Sequence, residues 1–258
     1  MDRLYYLTDE QFEQINRLLP PEDSRLGRPP KVKNREALEG ILHILRTGTP
    51  WRDLPKAYGR WHTIYMRWQR WIDCGVWWNV LGLLKRLKGV ELKIVFLDST
   101  VVRAHQHAAG AAKKKGDQAL GRSRGGLSTK IHALCASEAD AVDIRITAGQ
   151  VGDAPVGEAI IDAIDPRDGI EQAAMDKAYD SNAIRAKLDA KGITPVIPPK
   201  SNRLDIIVYD KESYKQRNKV ERLFNKIKQF RRVATRYEKL KANFLAFVIV
   251  ALIVIMLR

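Results

Sequence analysis

The chain has 258 residues, a formal net charge of +15 and a hydrophobic share of 45%. That share rules out a disordered or low-complexity polymer, and the length allows one large domain or two small ones. The excess positive charge points to a polyanionic partner, of which nucleic acid is the commonest.

The first 90 residues read as short helices. Thr8-x-x-Gln11 is a capping pattern ahead of Phe12, Ile15, Leu18 and Leu19, and Pro20-Pro21 ends that helix. The stretch RLGRPPKVKN is basic and extended. Within it, Arg28 and Lys31 flank two prolines, which suits either a minor-groove arm or a plain basic linker. A second helix starts near Asn34 and stops at Gly48, and the turn TPWRDLP follows. A third covers 59–73 and a fourth 76–88. In the third, apolar positions 61, 64, 65, 68 and 71 form the core stripe. Arg60, Arg67 and Arg70 fall largely off it, so this is the candidate recognition helix. A helix-turn-helix-like DNA-binding domain over 1–90 is expected.

The pattern changes near residue 92. Lys93–Leu97 reads as a buried strand ending at Asp98, and 103–126 as a basic, glycine-rich loop. Strands are expected at 130–136 and 141–148, a helix at 153–164, a strand at 172–175, a helix at 182–190 and a strand at 194–197. From 211 the chain reads as helical, with a bend near 233–238. Phe244–Leu257 is a nearly unbroken apolar run, too short to span a bilayer and expected as a buried core helix. With no apolar signal segment at the start, a cytoplasmic, nucleoid-associated protein is expected. Cys74 and Cys135 are expected to be reduced core thiols.

The predicted fold class is therefore α+β: the helical domain, then a ribonuclease-H-like mixed-sheet catalytic domain over 91–258 with C-terminal helices. Asp98 and Asp176 would each follow a strand, where such sheets place their chemistry. Glu221 lies in a basic helix. Two aspartates and a glutamate offer hard oxygen ligands for a pair of divalent ions, which can activate an attacking oxygen and stabilise a leaving one. Tyr214, Arg217, Glu221 and Lys228 sit at offsets of 0, 3, 7 and 14. At about 100° per residue these share one stripe of roughly 60° on a continuous helix. Arg122, Arg124 and Lys130 are candidate phosphate clamps. His105 and His107 lack further ligands at zinc spacing and read as loop histidines near DNA. Asp180 reads as the cap of the following helix and Asp117 as a loop residue, so neither is expected to bind metal.

These residues carry a resemblance. Tyr-(2)-Arg-(3)-Glu-(6)-Lys at Tyr214, Arg217, Glu221 and Lys228 resembles the signature of bacterial insertion-sequence transposases with an Asp-Asp-Glu triad, in their insertion-sequence-five-like group. Leu97-Asp98-Ser99-Thr100 is similar to their first aspartate motif. Asp176-Lys177-Ala178-Tyr179-Asp180-Ser181 is similar to their second, with Ala178 where the motif often has Gly. TPWRDLP is similar to part of their N-terminal region. The resemblance implies Asp98, Asp176 and Glu221 as ligands of two Mg²⁺ ions, with Mn²⁺ able to substitute. It implies Tyr214, Arg217 and Lys228 beside the bound strand, and cleavage at the element's inverted repeats to free a 3′ hydroxyl that attacks target DNA. A homodimer or higher oligomer on double-stranded DNA follows from the need to join two ends, and no membrane is involved. Lys113-Lys114-Lys115-Gly116 is expected to mark a frameshift junction. The alternatives are a catalytically silent, transposase-derived repressor and another ribonuclease-H-like nuclease.

Overall fold

A computed structural model describes residues 7–22, 31–109 and 116–257. Arg28 and Lys113–Lys115, singled out above, lie outside the described residues.

Four helices open the chain: α1 (Asp9–Asn16), α2 (Asn34–Thr47), α3 (Trp61–Asp73) and α4 (Val76–Leu87). Thr8 caps α1 through a complete capping box with Gln11. Gly48 closes α2 in the left-handed conformation that favours glycine, at φ 72°. Cys74, expected in the core, is exposed at the end of α3, while Cys135 is buried.

Strand β1 (Ile94–Ala104) is longer than its apolar run predicts. A short helix, α5 (Gln106–Ala109), follows it. Next come β2 (Gly121–Ser123), β3 (Gly126–Cys135), β4 (Ala141–Ala148), α6 (Asp153–Asp162), β5 (Gln172–Met175), α7 (Asn182–Asp189) and β6 (Thr194–Val196). The predicted 103–126 loop thus contains the end of β1, a helical turn and β2. The C-terminal part is α8 (Lys211–Lys215), α9 (Asn218–Lys228), α10 (Arg231–Ala234), β7 (Thr235–Arg236) and α11 (Lys241–Met256). The helix expected to run unbroken through the Tyr-Arg-Glu-Lys stripe is interrupted at Gln216–Arg217.

Across the main sheet the order is β4-β3-β1-β5-β6. β1 is antiparallel to β3 and β3 to β4, whereas β1, β5 and β6 run parallel. Three antiparallel strands followed by two parallel ones, in this order, form the ribonuclease-H-like sheet.

Alternation along β1 divides the core. Val95 and Leu97 pack with Ile160 and Ile161 of α6 and with Ile184 and Leu188 of α7. Phe96 and Val102 face α9 and α11. That second core continues into the N-terminal helices: the Trp68 ring stacks on Phe247 of α11 with centroids 4.4 Å apart. The apolar C-terminal helix is buried between the sheet and the four-helix region. Among the described residues no helix is long and apolar enough to cross a membrane.

Candidate active site

Parallel pairing sets the geometry. Leu97 of β1 is in register with Met175 of β5, so Asp98 and Asp176 are the next residues on adjacent strands. Asp98 is not at the strand's end, as its sequence suggested. Pairing with β3 continues from Phe96 through Arg103, and Asp98 lies opposite Ala133 in mid-strand. Asp176 does follow its strand, and its carboxylate accepts the Ala178 amide in a tight 3-10 turn at Lys177–Tyr179.

Asp98 shares the face of Phe96 and points toward α9. Its Oδ1 accepts the Ser99 amide at 2.8 Å, and its Oδ2 accepts Arg217 Nη1 at 2.5 Å. The other arm of the Arg217 guanidinium donates to Glu221 Oε1, one helical turn on. Arg217 therefore links the first aspartate to the glutamate. Burial raises the Asp98 carboxyl above its ordinary value and Asp176 adds to the rise, against the Ser99 amide and Arg217. Burial opposes the charge on Arg217, but Asp98 and Glu221 outweigh it and raise its pKa.

Lys228 of the same stripe also reaches β1 despite the break in the helix. Lys228 Nζ donates to Thr100 Oγ1 at 2.6 Å and to the Val101 carbonyl at 3.3 Å. The Tyr214 ring lies 6.0 Å from the Arg217 guanidinium carbon. As the side chains lie, no three His, Cys, Asp or Glu groups among the described residues stand together as a metal cluster. The donor chemistry nonetheless fits a hard divalent cation: three carboxylates, two on neighbouring strands, with a guanidinium already standing in as the cation between Asp98 and Glu221.

Comparison with known proteins gives the family. Residues 91–257 match the family model "Transposase DDE domain", and residues 7–81 match a model described as an IS4/5-family transposase (DUF4096). The chain belongs to the DDE transposase family. A protein of Brucella ovis named as a transposase for insertion sequence element IS6501 is 32% identical over 133 residues, covering 51% of this chain and 100% of the relative. Protein y4sN of Sinorhizobium fredii is 41% identical over 110 residues, 43% of this chain and 86% of the relative. A solved structure, the Mos1 transposase paired-end complex with left transposon end, aligns over 80% of each chain at 13% identity with a TM-score of 0.28.

The transposase places the remaining candidate residues unevenly. Arg60 and Arg70 are exposed on α3 and its N-terminus, and Lys31 is exposed beside α2. Arg67 is not available to DNA in this arrangement: it is buried, and its Nη1 donates to Asn34 Oδ1 at 3.0 Å. Arg122 and Arg124 are exposed on the β2–β3 hairpin. Lys130 is turned inward, with Nζ 2.9 Å from the Val151 carbonyl and 2.9 Å from Asp153 Oδ1. His105 Nδ1 accepts the His107 amide at 3.2 Å, and its ring lies 4.9 Å from that of Tyr237. Asp117 pairs with Lys241.

Sequence reasoning missed two clusters. On the face of β1 opposite Asp98, Asp153 Oδ1 accepts Ser99 Oγ at 2.8 Å as well as Lys130. His132 lies 3.8 Å from the same oxygen, but burial pushes its pKa down to about 4, so the ring is neutral and the contact is not an ion pair. Asp180 does not cap α7; Ser181 does. Asp180 is buried and receives Arg185 Nε at 2.9 Å, Arg203 Nε at 2.7 Å and the Lys200 amide at 2.8 Å. Its only sequence signal was an acidic residue within the second motif, with partners 5 to 23 positions away.

Proposed function

We propose that this transposase cuts the ends of its insertion sequence by metal-dependent phosphodiester hydrolysis and joins the freed 3′ hydroxyl to target DNA, with Asp98, Asp176 and Glu221 as its catalytic carboxylates. The observation that carries the reading is the convergence on β1: Asp98 and Asp176 adjacent in parallel register, and Glu221 tied to Asp98 through a single guanidinium. Two divalent ions, Mg²⁺ or Mn²⁺, held by these carboxylates would supply activation of the attacking oxygen and neutralisation of the leaving one. Lys228, whose ammonium lies on Thr100 and Val101 of the same strand, would hold a phosphate, and Tyr214 beside Arg217 would orient it. Arg60, Arg70, Lys31, Arg122 and Arg124 are free to make the backbone contacts that position a duplex without reading its sequence. Two ends must meet for transposition, which supports a homodimer or larger assembly on DNA.

The test is strand joining. The full chain is incubated with Mg²⁺, a supercoiled target plasmid and a pre-cut duplex carrying the element's terminal repeat, ending in either a 3′ hydroxyl or a 3′ hydrogen. Joining with the hydroxyl end and none with the deoxy end is the expected result. Tight binding of the repeat with no joining from either end would favour a silent, repressor-like protein.

A further inference from the structure

Arg217 occupies the place where the metal-dependent reading needs a divalent ion. Its two terminal nitrogens hold Asp98 Oδ2 and Glu221 Oε1, while the second oxygen of Asp98 is taken by the Ser99 amide. Asp176 has one oxygen on the Ala178 amide. Each oxygen of Asp98 thus carries one hydrogen bond, and its link to Glu221 runs through one cation. The guanidinium is itself largely covered, at 17% exposure, and sits where α8 gives way to α9, so it is held by position as well as by charge. A guanidinium fork bridging two carboxylates and a hard cation binding the same oxygens compete for the same negative charge and lone pairs.

We propose, on the basis of the function proposed above, that Arg217 is the internal counter-ion of the metal-free site: it competes with the divalent ions for Asp98 and Glu221 and sets the affinity with which they load. It is a positioning residue that offsets the charge of Asp98 and Glu221 until metal arrives. Loading requires the guanidinium to leave at least one of its two carboxylates. Once released it needs another anion, and a DNA phosphate is the one the proposed reaction supplies. Metal loading and strand binding then favour each other, because each removes the same competitor.

The opposite role predicts the opposite sign. If Arg217 only braced the carboxylates in a geometry that metal shares, its removal would weaken metal binding. The experiment is a Mn²⁺ titration of the full chain without DNA, with free Mn²⁺ read by electron paramagnetic resonance, for wild type, Arg217→Gln and Arg217→Lys. Arg217→Gln is expected to bind Mn²⁺ roughly tenfold more tightly than wild type, a typical size for coupling between sites. Arg217→Lys keeps the charge but loses the fork, and is expected to fall between the two. Unchanged or weaker binding in both variants overturns the inference. Asp98→Asn and Glu221→Gln, made in the wild-type and Arg217→Gln backgrounds, separate the two layers of the argument. If they leave Mn²⁺ affinity untouched in both backgrounds, the carboxylate site itself is wrong. If they abolish binding while Arg217→Gln fails to tighten it, only the counter-ion role falls. Circular dichroism of each variant confirms the fold, and Arg217→Lys carries the test should the glutamine variant not fold.

Discussion

Replacing Asp180 by Asn separates a structural carboxylate from the proposed metal ligand Asp176, four residues away. Asp180 has no exposed side-chain surface and accepts two guanidinium groups and a backbone amide. Burial raises its pKa, yet hydrogen bonds from Arg203, the Lys200 amide and Arg185 outweigh that and hold it at about 2, against an ordinary 3.8. A displacement of nearly two units is worth about 2–3 kcal/mol of stability. Asn keeps the shape but leaves two guanidiniums without their counter-charge, so a loss of about 2–4 kcal/mol is expected at neutral pH. For a chain of this size that lowers the melting temperature by roughly 5–15 °C. The pH dependence has a definite sign. The folded pKa lies below the unfolded one, so the contribution is complete above pH 4 and fades as pH falls toward 2. The gap between wild type and variant should therefore narrow on acidification below about pH 4. Thermal melts followed by circular dichroism across that range test this, with Mn²⁺ binding measured alongside. A variant as stable as wild type at pH 7 would refute the ion-pair argument. One that folds normally but loses Mn²⁺ would make Asp180 a ligand.

Two further substitutions probe the packing that positions the site. Trp68→Ala removes a fully buried ring stacked on Phe247 and should cost about 3–5 kcal/mol. Because that contact joins the N-terminal helices to the C-terminal one, denaturation of wild type should show a single transition whose midpoint falls in the variant; two separate transitions in wild type would deny the shared core. Gly157→Ala would place a Cβ 2.8 Å from the buried Tyr179 ring, within the motif that carries Asp176. A loss of about 1–3 kcal/mol is expected in urea unfolding, and a neutral result would show that α6 can move aside.

Much of this was legible in the sequence because the signals were local. The Thr8 capping box, the left-handed Gly48 and the apolar C-terminal run each declare themselves over a few residues, and each appears where expected. Asp98 was placed at a strand end because the apolar run stops at Leu97. Long pairing with β3 carries the strand on to Arg103, and pairing with β7 to Ala104, a tertiary effect that no local propensity encodes. Helical spacing grouped Tyr214, Arg217, Glu221 and Lys228 even though the helix breaks at Gln216–Arg217: Arg217 and Lys228 bond to β1, and Tyr214 and Glu221 lie against Arg217. Arg67 and Lys130 were misjudged as free cations for the same reason that Asp180 was misjudged as a cap. Their partners, Asn34, Asp153, Arg185 and Arg203, are brought together only by the fold.

The central claim is that Asp98, Asp176 and Glu221 form one metal-dependent cutting site. It is tested most directly by nicking of a labelled duplex bearing the element's terminal repeat, comparing wild type with Glu221→Gln in Mg²⁺ and Mn²⁺. The account predicts metal-dependent nicking at the repeat end by wild type, and loss of at least about a hundredfold in the variant while it still binds the duplex. Equal nicking by the two proteins would contradict it.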